Sequence, residues 1–473
     1  MSSPPTLDID AVRAAFPALA SGYIFADNAG GSQCLATAAH AVTDYLLNSN
    51  VQLGADYSVS VTSTGRVAAG AEAARELFNA ESADEVAYGS SSTMLVENLA
   101  RAMEADVQAG EETVITGEHE SNAGPWKRLA ARKGATTKLW PATQLPAYPN
   151  NTYAVGLQLD ALLPLITAKT RLVAFTACSN ILGSIVPVAD IVKAIRTRAA
   201  ELGARKVEVC VDCVAYAPHR RIDVQAWDVD YAYFSFYKVY GPHVSVLYAR
   251  RASLISSLTS LGHHFLRIDD KPYKLQPGGP GYELPWGCTP VVPYLKLLTP
   301  SGTLADAWDA IARHEQTLLV ELLGYLRAKY GRGVRIVGDE MEGMTRVPTV
   351  SFVVVGERPI KSKVVVEAFD SQQSDPPPEE PRDPRIVQPI GTWQNLPRIG
   401  QRLPNGQYAV LEPPRPATVG VGVRYGHFYA HTLVDGLQPK LDVEDGVVRI
   451  SLVHYNTVDE VKRLIWILDS VLV

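Results

Sequence analysis

Up to about residue 250 the chain alternates short apolar runs with helical stretches, and few architectures accept that alternation. Strand, turn and crossover helix in succession predict an α/β fold built on a mostly parallel sheet. In such sheets ligands sit outside the carboxyl ends of the strands. Glu85–Gly89, Thr113–Thr116, Arg171–Thr176, Val207–Val214 and Asp230–Phe236 read as strands. His119, Asn180, Asp212 and Lys238 all fall at their predicted ends, which points to one shared crevice. Helices are expected over Ala36–Leu47, Ser63–Phe78, Pro187–Leu202 and Thr303–Tyr330, after a short Asp-capped one that stops at Pro17.

Lys238 lies in an aromatic, mostly uncharged run, Asp230-Tyr-Ala-Tyr-Phe-Ser-Phe-Tyr-Lys-Val-Tyr-Gly-Pro242. Burial there lowers a lysine's pKa and makes the amine nucleophilic. Asp212 closes the run Val207–Val214 upstream. A strand-end Asp and a strand-end Lys are the pair that pyridoxal 5'-phosphate (PLP) needs: the amine holds the aldehyde, and the carboxylate keeps the ring nitrogen protonated. A salt-bridged Asp beside a snorkelling Lys accounts for the same two residues.

The turn Ser90-Ser-Ser-Thr-Met94 at a helix start offers hydroxyls and free N–H groups to a phosphate, or is a plain N-cap. His119 is either a ligand contact or a satisfied loop histidine. Composition narrows the class. Net charge is −6, with 44 basic and 50 acidic residues, so nothing favours nucleic acid or an anionic membrane. No apolar run is long enough for a membrane span, and Met1–Asp8 shows no secretory pattern. The five cysteines (Cys34, Cys178, Cys210, Cys213, Cys288) are read as reduced thiols of a cytoplasmic protein. Cys210 and Cys213 would point to opposite faces of a strand, so no metal site is expected.

Asp223-Val-Gln-Ala-Trp-Asp-Val-Asp-Tyr-Ala-Tyr-Phe-Ser-Phe-Tyr-Lys-Val-Tyr-Gly-Pro242 resembles the PLP-lysine segment of the class V aminotransferase and cysteine desulfurase family, D-V-x-x-L-x-x-D-F-x-x-F-S-G-H-K-x-x-G-P. Glu118-His-Glu-Ser-Asn-Ala-Gly-Pro-Trp126, Ser179-Asn-Ile-Leu-Gly183 and Val448-Arg-Ile-Ser-Leu-Val-His-Tyr-Asn-Thr457 are similar to three further motifs of that family. The resemblance covers roughly residues 20 to 470. It implies the type I (aspartate aminotransferase) fold, with a large domain over 20–300. Residues 1–19 and 301–473 would form a smaller α+β domain interrupted by a Pro-rich insertion at about 371–416. It implies PLP on Lys238 and Asp212, His119 on the ring face, and Asn180 beside the ring oxygen. Ser91, Ser92, Thr93, Ser235 and Tyr237 would hold the phosphate, with Gly279 reaching it across a homodimer interface. Arg449 would grip the substrate carboxylate, and Asn28, Ala29 and Tyr57 would approach the substrate.

The chain also departs from the pattern. Val421-Gly-Val-Arg-Tyr-Gly-His-Phe-Tyr-Ala430 resembles the desulfurase loop x-x-V-R-x-G-H-H-C-A, but Tyr429 stands at the persulfide-forming cysteine and no cysteine follows Cys288. Tyr237 replaces a histidine, Ala215 a glutamine, and Gly278-Gly279-Pro280 lacks the family's threonine. Without a thiolate there, no persulfide forms on that loop. The expected reaction is β-elimination by a C–S lyase on a sulfur amino acid, with Lys238 as base and Tyr429, His427 or Tyr57 as acid. Within the family, the resemblance is strongest to the fungal C–S lyases of ergothioneine biosynthesis, which implies hercynylcysteine sulfoxide as substrate. A cysteine desulfurase or selenocysteine lyase and an isopenicillin-N-epimerase-like racemase are the alternatives.

Overall fold

The computed structural model describes residues 6–266, 271–371 and 420–473. Seven strands form the large sheet: β1 (Val86–Gly89), β2 (Glu112–Thr116), β3 (Thr136–Trp140), β4 (Thr170–Thr176), β5 (Glu208–Asp212), β6 (Tyr231–Ser235) and β7 (Ser245–Ala249). Their order is β1-β7-β6-β5-β4-β2-β3. Pairings from β6 to β3 are parallel; β7 runs antiparallel to both β6 and β1. The expectation of a mostly parallel α/β sheet holds. All residues of β4, β5 and β6 are buried, as continuous apolar strands covered on both faces must be.

A second sheet takes β8 (Val334–Val337), β9 (Thr349–Val354), β10 (Arg424–Gly426) and β11 (Val447–Ser451), all antiparallel in the order β8-β9-β11-β10. The helices Leu304–Ala328, Ser362–Ser371 and Val458–Val471 contribute to the same region, and Leu318, Leu322, Phe352, Ile450 and Leu464 share one core there.

Val12, Phe16 and Leu19 join the core of the large sheet, whereas Ile24 and Ala26 join the small one. Ile24–Phe25 lies parallel to Val421–Gly422, so the strand before the glycine turn belongs to the small sheet's side. The helix expected from Ser63 starts at Ser58. Its early Ser, Val and Thr residues are indifferent helix formers. Further along it, Gly70 passes so close to the helix Glu283–Cys288 that a Cβ would sit 2.5 Å from the Pro285 carbonyl. The proposed insertion 371–416 lies outside the described residues except at its first position. Among the described residues no helix is long and apolar enough to cross a membrane, and no group of three side chains could hold a metal ion.

Candidate active site

The parallel strands deliver their last residues to one edge. β1 leads to Ser91–Thr93, β2 to His119, β4 to Asn180, β5 ends on Asp212, and β6 leads to Lys238 in a single 3-10 turn. A pocket of ≈ 510 Å³ opens there, lined by Ser91, Ser92, Thr93, His119, Asn180, Asp212, Ser235, Tyr237 and Lys238, with Ser121, Thr176, Cys178, Val214 and Ala215.

Lys238 is buried and, among the described residues, has no ion pair; the Tyr237 ring lies 5.9 Å from its Nζ. Burial, with the nearby Arg449 guanidinium, pulls its pKa down to about 8. Burial pushes the Asp212 carboxyl up; the Val214 N–H, 2.9 Å from Oδ1, and Lys238 pull it back. His119 is brought to about 4 by burial and by the charges of Lys238 and Arg449, so its ring is neutral at neutral pH. Its Nδ1 accepts from the Ser121 N–H at 3.2 Å, which sets the ring's direction.

The helix N-terminus that the sequence marks as a phosphate seat carries a cluster of hydroxyls. Ser91 Oγ caps the helix Ser92–Ala102 by accepting from Met94 N–H at 3.2 Å. Ser92 and Ser235 Oγ lie 2.7 Å apart, as do Ser235 and Ser245. Tyr237 stacks on His243 with ring centroids 5.0 Å apart. Ser245 and His243 escaped the sequence reading. They reach the site because β7 runs antiparallel, which brings its first residue to the edge where its neighbours end.

Asn180 donates from Nδ2 to the Phe428 carbonyl at 3.0 Å, and its buried Oδ1 has no partner among the described residues. Its turn is locked by Gly183 (φ +67°), where a Cβ would meet the Thr349 carbonyl at 2.1 Å. The buried Glu118 adds a brace: Ser179 Oγ donates to its Oε2 at 2.7 Å and accepts from Leu182 N–H at 3.0 Å.

Arg449 comes from the small sheet and is 2% exposed. It donates to Asp27 Oδ1 at 2.7 Å and to the Asn180 carbonyl at 3.2 Å, with Phe428 3.7 Å beneath its guanidinium. Phe428 and Tyr429 are both left-handed (φ 50° and 61°), a strained pair for non-glycine residues. Tyr429 is exposed, its ring centroid 5.3 Å from that of His119.

Three expected substrate contacts, Asn28, Ala29 and Tyr57, lie outside the lining of this pocket. Asn28 is buried, donating to the Phe25 and Ser451 carbonyls at 2.7 and 3.0 Å and accepting from the Tyr455 hydroxyl. Its amide braces the glycine turn, and the residue also borders the cleft formed by Asp27, Gly30, Gly31 and Arg424. Ala29 gives its N–H to Ser451 Oγ at 2.9 Å. Tyr57 is exposed at the N-cap of Ser58–Phe78 and does not line the pocket; Gly279 is likewise exposed and outside it.

The unpaired amine of Lys238, the buried Asp212, the neutral His119, the orphaned Asn180 Oδ1 and the hydroxyls at a helix N-terminus form the donor set that PLP requires. The family model described as aminotransferase class-V matches residues 24–356. The chain belongs to the class-V aminotransferase family. PLP is its cofactor. Within the family it is 38% identical to the aminotransferase-like protein FGM3 of Gibberella zeae, over 99% of this chain and 100% of that one. It is 30% identical to the cysteine desulfurase-like protein ustD of Aspergillus flavus, over 98% and 91%. Its fold is similar to the apo structure of the cysteine desulfurase from Thermococcus onnurineus NA1, with a TM-score of 0.74 at 20% identity, over 100% and 99% of the two chains.

Proposed function

We propose that the chain is a cysteine desulfurase-like PLP enzyme that eliminates a β-substituent, foremost a sulfur group, from an L-amino acid, releasing pyruvate and ammonia. One observation carries the reading: the pocket lacks a usable thiol. Tyr429 occupies the loop position of the desulfurase cysteine, and of the five cysteines only Cys178 lines the pocket. Burial holds the Cys178 thiol far above the usual range, so it stays protonated and a poor nucleophile.

Bound PLP supplies an electron sink for the carbanion at Cα. The chain's residues do the rest. Arg449 orients the carboxylate, Lys238 takes the Cα proton and stays within reach of Cβ, and neutral His119 covers the ring without adding charge. Tyr429 Oη, at the solvent side, hands a proton to the leaving sulfur. A homodimer with Gly279 of one protomer at the other's phosphate, in the cytoplasm, completes the proposal.

The second reading is sulfur transfer from free cysteine, favoured by the desulfurase-like naming of the 30% identical relative. It needs a thiolate, which leaves Cys34, the one exposed cysteine. The test incubates the PLP-loaded protein with cysteine and with S-substituted cysteine sulfoxides, hercynylcysteine sulfoxide included. Pyruvate with a matching sulfur fragment is expected. Alanine with sulfide from cysteine, lost in Cys34→Ser, would establish the second reading, and Cα hydrogen exchange without either product would point to racemisation. Hercynylcysteine sulfoxide turning over fastest would extend the proposal to ergothioneine formation.

A further inference from the structure

Arg424 and Arg449 stand directly opposite each other on β10 and β11, so the sheet sets two guanidiniums side by side. Like charges so placed repel. Asp27 lies between them, its Oδ1 2.7 Å from Arg449 and its Oδ2 3.5 Å from Arg424. The backbone of Asp27 is held by a bridge to Ser451. Its side chain borders an open surface cleft, to which Phe25, Asn28, Gly30, Gly31, Gly422 and Arg424 also contribute. A Cβ on Gly30 would fall 2.8 Å from Asp27 Oδ2, so glycine there leaves the carboxylate room to turn.

We propose that Asp27 is a resident stand-in for the substrate carboxylate: it holds Arg449 in the free enzyme and swings onto Arg424 when the substrate's carboxylate takes its place. This rests on the reading that Arg449 binds that carboxylate. Asp27 is a positioning residue, acting through the two arginines. Its grip on Arg449 uses Nη2 alone, while the buried Nε has no partner. A carboxylate spanning Nη2 and Nε makes two parallel bonds and outcompetes a single one. Two guanidiniums against one carboxylate leave one positive charge over. The substrate's carboxylate cancels it, so a monocarboxylic amino acid with a neutral side chain closes the cluster, and a second carboxylate finds no seat there.

The experiment measures L-alanine affinity of the PLP-loaded protein from the cofactor's absorbance, with L-alaninamide as the ligand lacking a carboxylate. Asp27→Asn removes the competitor and is expected to tighten L-alanine about 5- to 10-fold, leaving L-alaninamide unchanged. A merely structural aspartate predicts the opposite sign. Arg424→Gln removes the second seat and is expected to weaken L-alanine about 3- to 5-fold, an effect that disappears in the Asp27→Asn background. Equal or weaker binding by a folded, PLP-loaded Asp27→Asn overturns the exchange. Should that variant not fold, an unchanged affinity in Arg424→Gln, an exposed position, overturns it instead. Arg449→Lys separates the two ideas: undiminished L-alanine affinity would remove the carboxylate reading itself, whereas weakened affinity without tightening in Asp27→Asn removes the exchange alone.

Discussion

The two halves of the site are built differently. The cofactor half comes from five strand ends of one sheet, and its key side chains, Lys238, Asp212 and Asn180, are buried. The proposed substrate half comes from the small sheet and its flanks. There a buried Arg449 depends on Asp27, and Tyr429 stands exposed on a left-handed backbone. A packed sheet edge tolerates little change, so it serves the chemistry common to the fold. A strained, half-exposed loop accepts substitution, and here it holds a phenol where the desulfurase-like pattern places a cysteine. The contrast teaches that cofactor and reaction are specified in separate places.

The largest effect should come from the cofactor half. Lys238→Ala is expected to lower turnover by at least about 10³-fold with the circular dichroism spectrum intact. A variant within tenfold of the parent would dismantle the scheme. The same lysine makes a pH prediction. Its amine must be neutral to take up the aldehyde, and with a pKa lowered to about 8 the uptake rate of PLP by the apoprotein should climb through pH 8 and level off above it. A midpoint near 10, as for an exposed lysine, would contradict the burial argument.

The substrate half should respond more mildly and in KM. Arg449→Lys loses the planar fork while keeping the charge, so KM is expected to rise about 10- to 100-fold with kcat falling far less. Equal losses in kcat would move Arg449 into the cofactor half. Tyr429→Phe is expected to slow release of poor sulfur leaving groups about 10-fold and good ones hardly at all. A uniform loss across leaving groups would assign Tyr429 to packing on His119 instead.

The smallest effect concerns stability behind the site. Burial raises the Glu118 carboxyl from 4.5 to about 7. The folded protein therefore binds this proton more tightly than the unfolded chain, and stability falls as pH rises from about 4.5 to 7. Glu118→Gln should add on the order of 2 kcal/mol above pH 8 and little near pH 4.5, read from denaturant midpoints at the two pH values. A gain at both would mean that the carboxyl's charge is not what costs stability.

Much of the cofactor half was legible in the sequence, because a parallel sheet converts linear order into convergence. Once alternating strands and helices are recognised, residues at successive strand ends must meet. Lys238, Asp212, His119 and Asn180 are 119 residues apart at the extremes and still share one pocket. Ser245 was not legible, since only the reversal of β7 brings it to that edge. Nor was the destination of Asn28, whose motif suggests a ligand contact while its amide is consumed by Phe25, Ser451 and Tyr455.

The sheet, the cofactor and the lack of a thiol at residue 429 can be read from the amino-acid order, because each follows from local pattern and residue chemistry. That Arg424 faces Arg449 with Asp27 between them emerges on folding. That arrangement joins residue 27 to strands some 400 positions away, and a register between antiparallel strands and the charge balance around it exist only once the chain is folded.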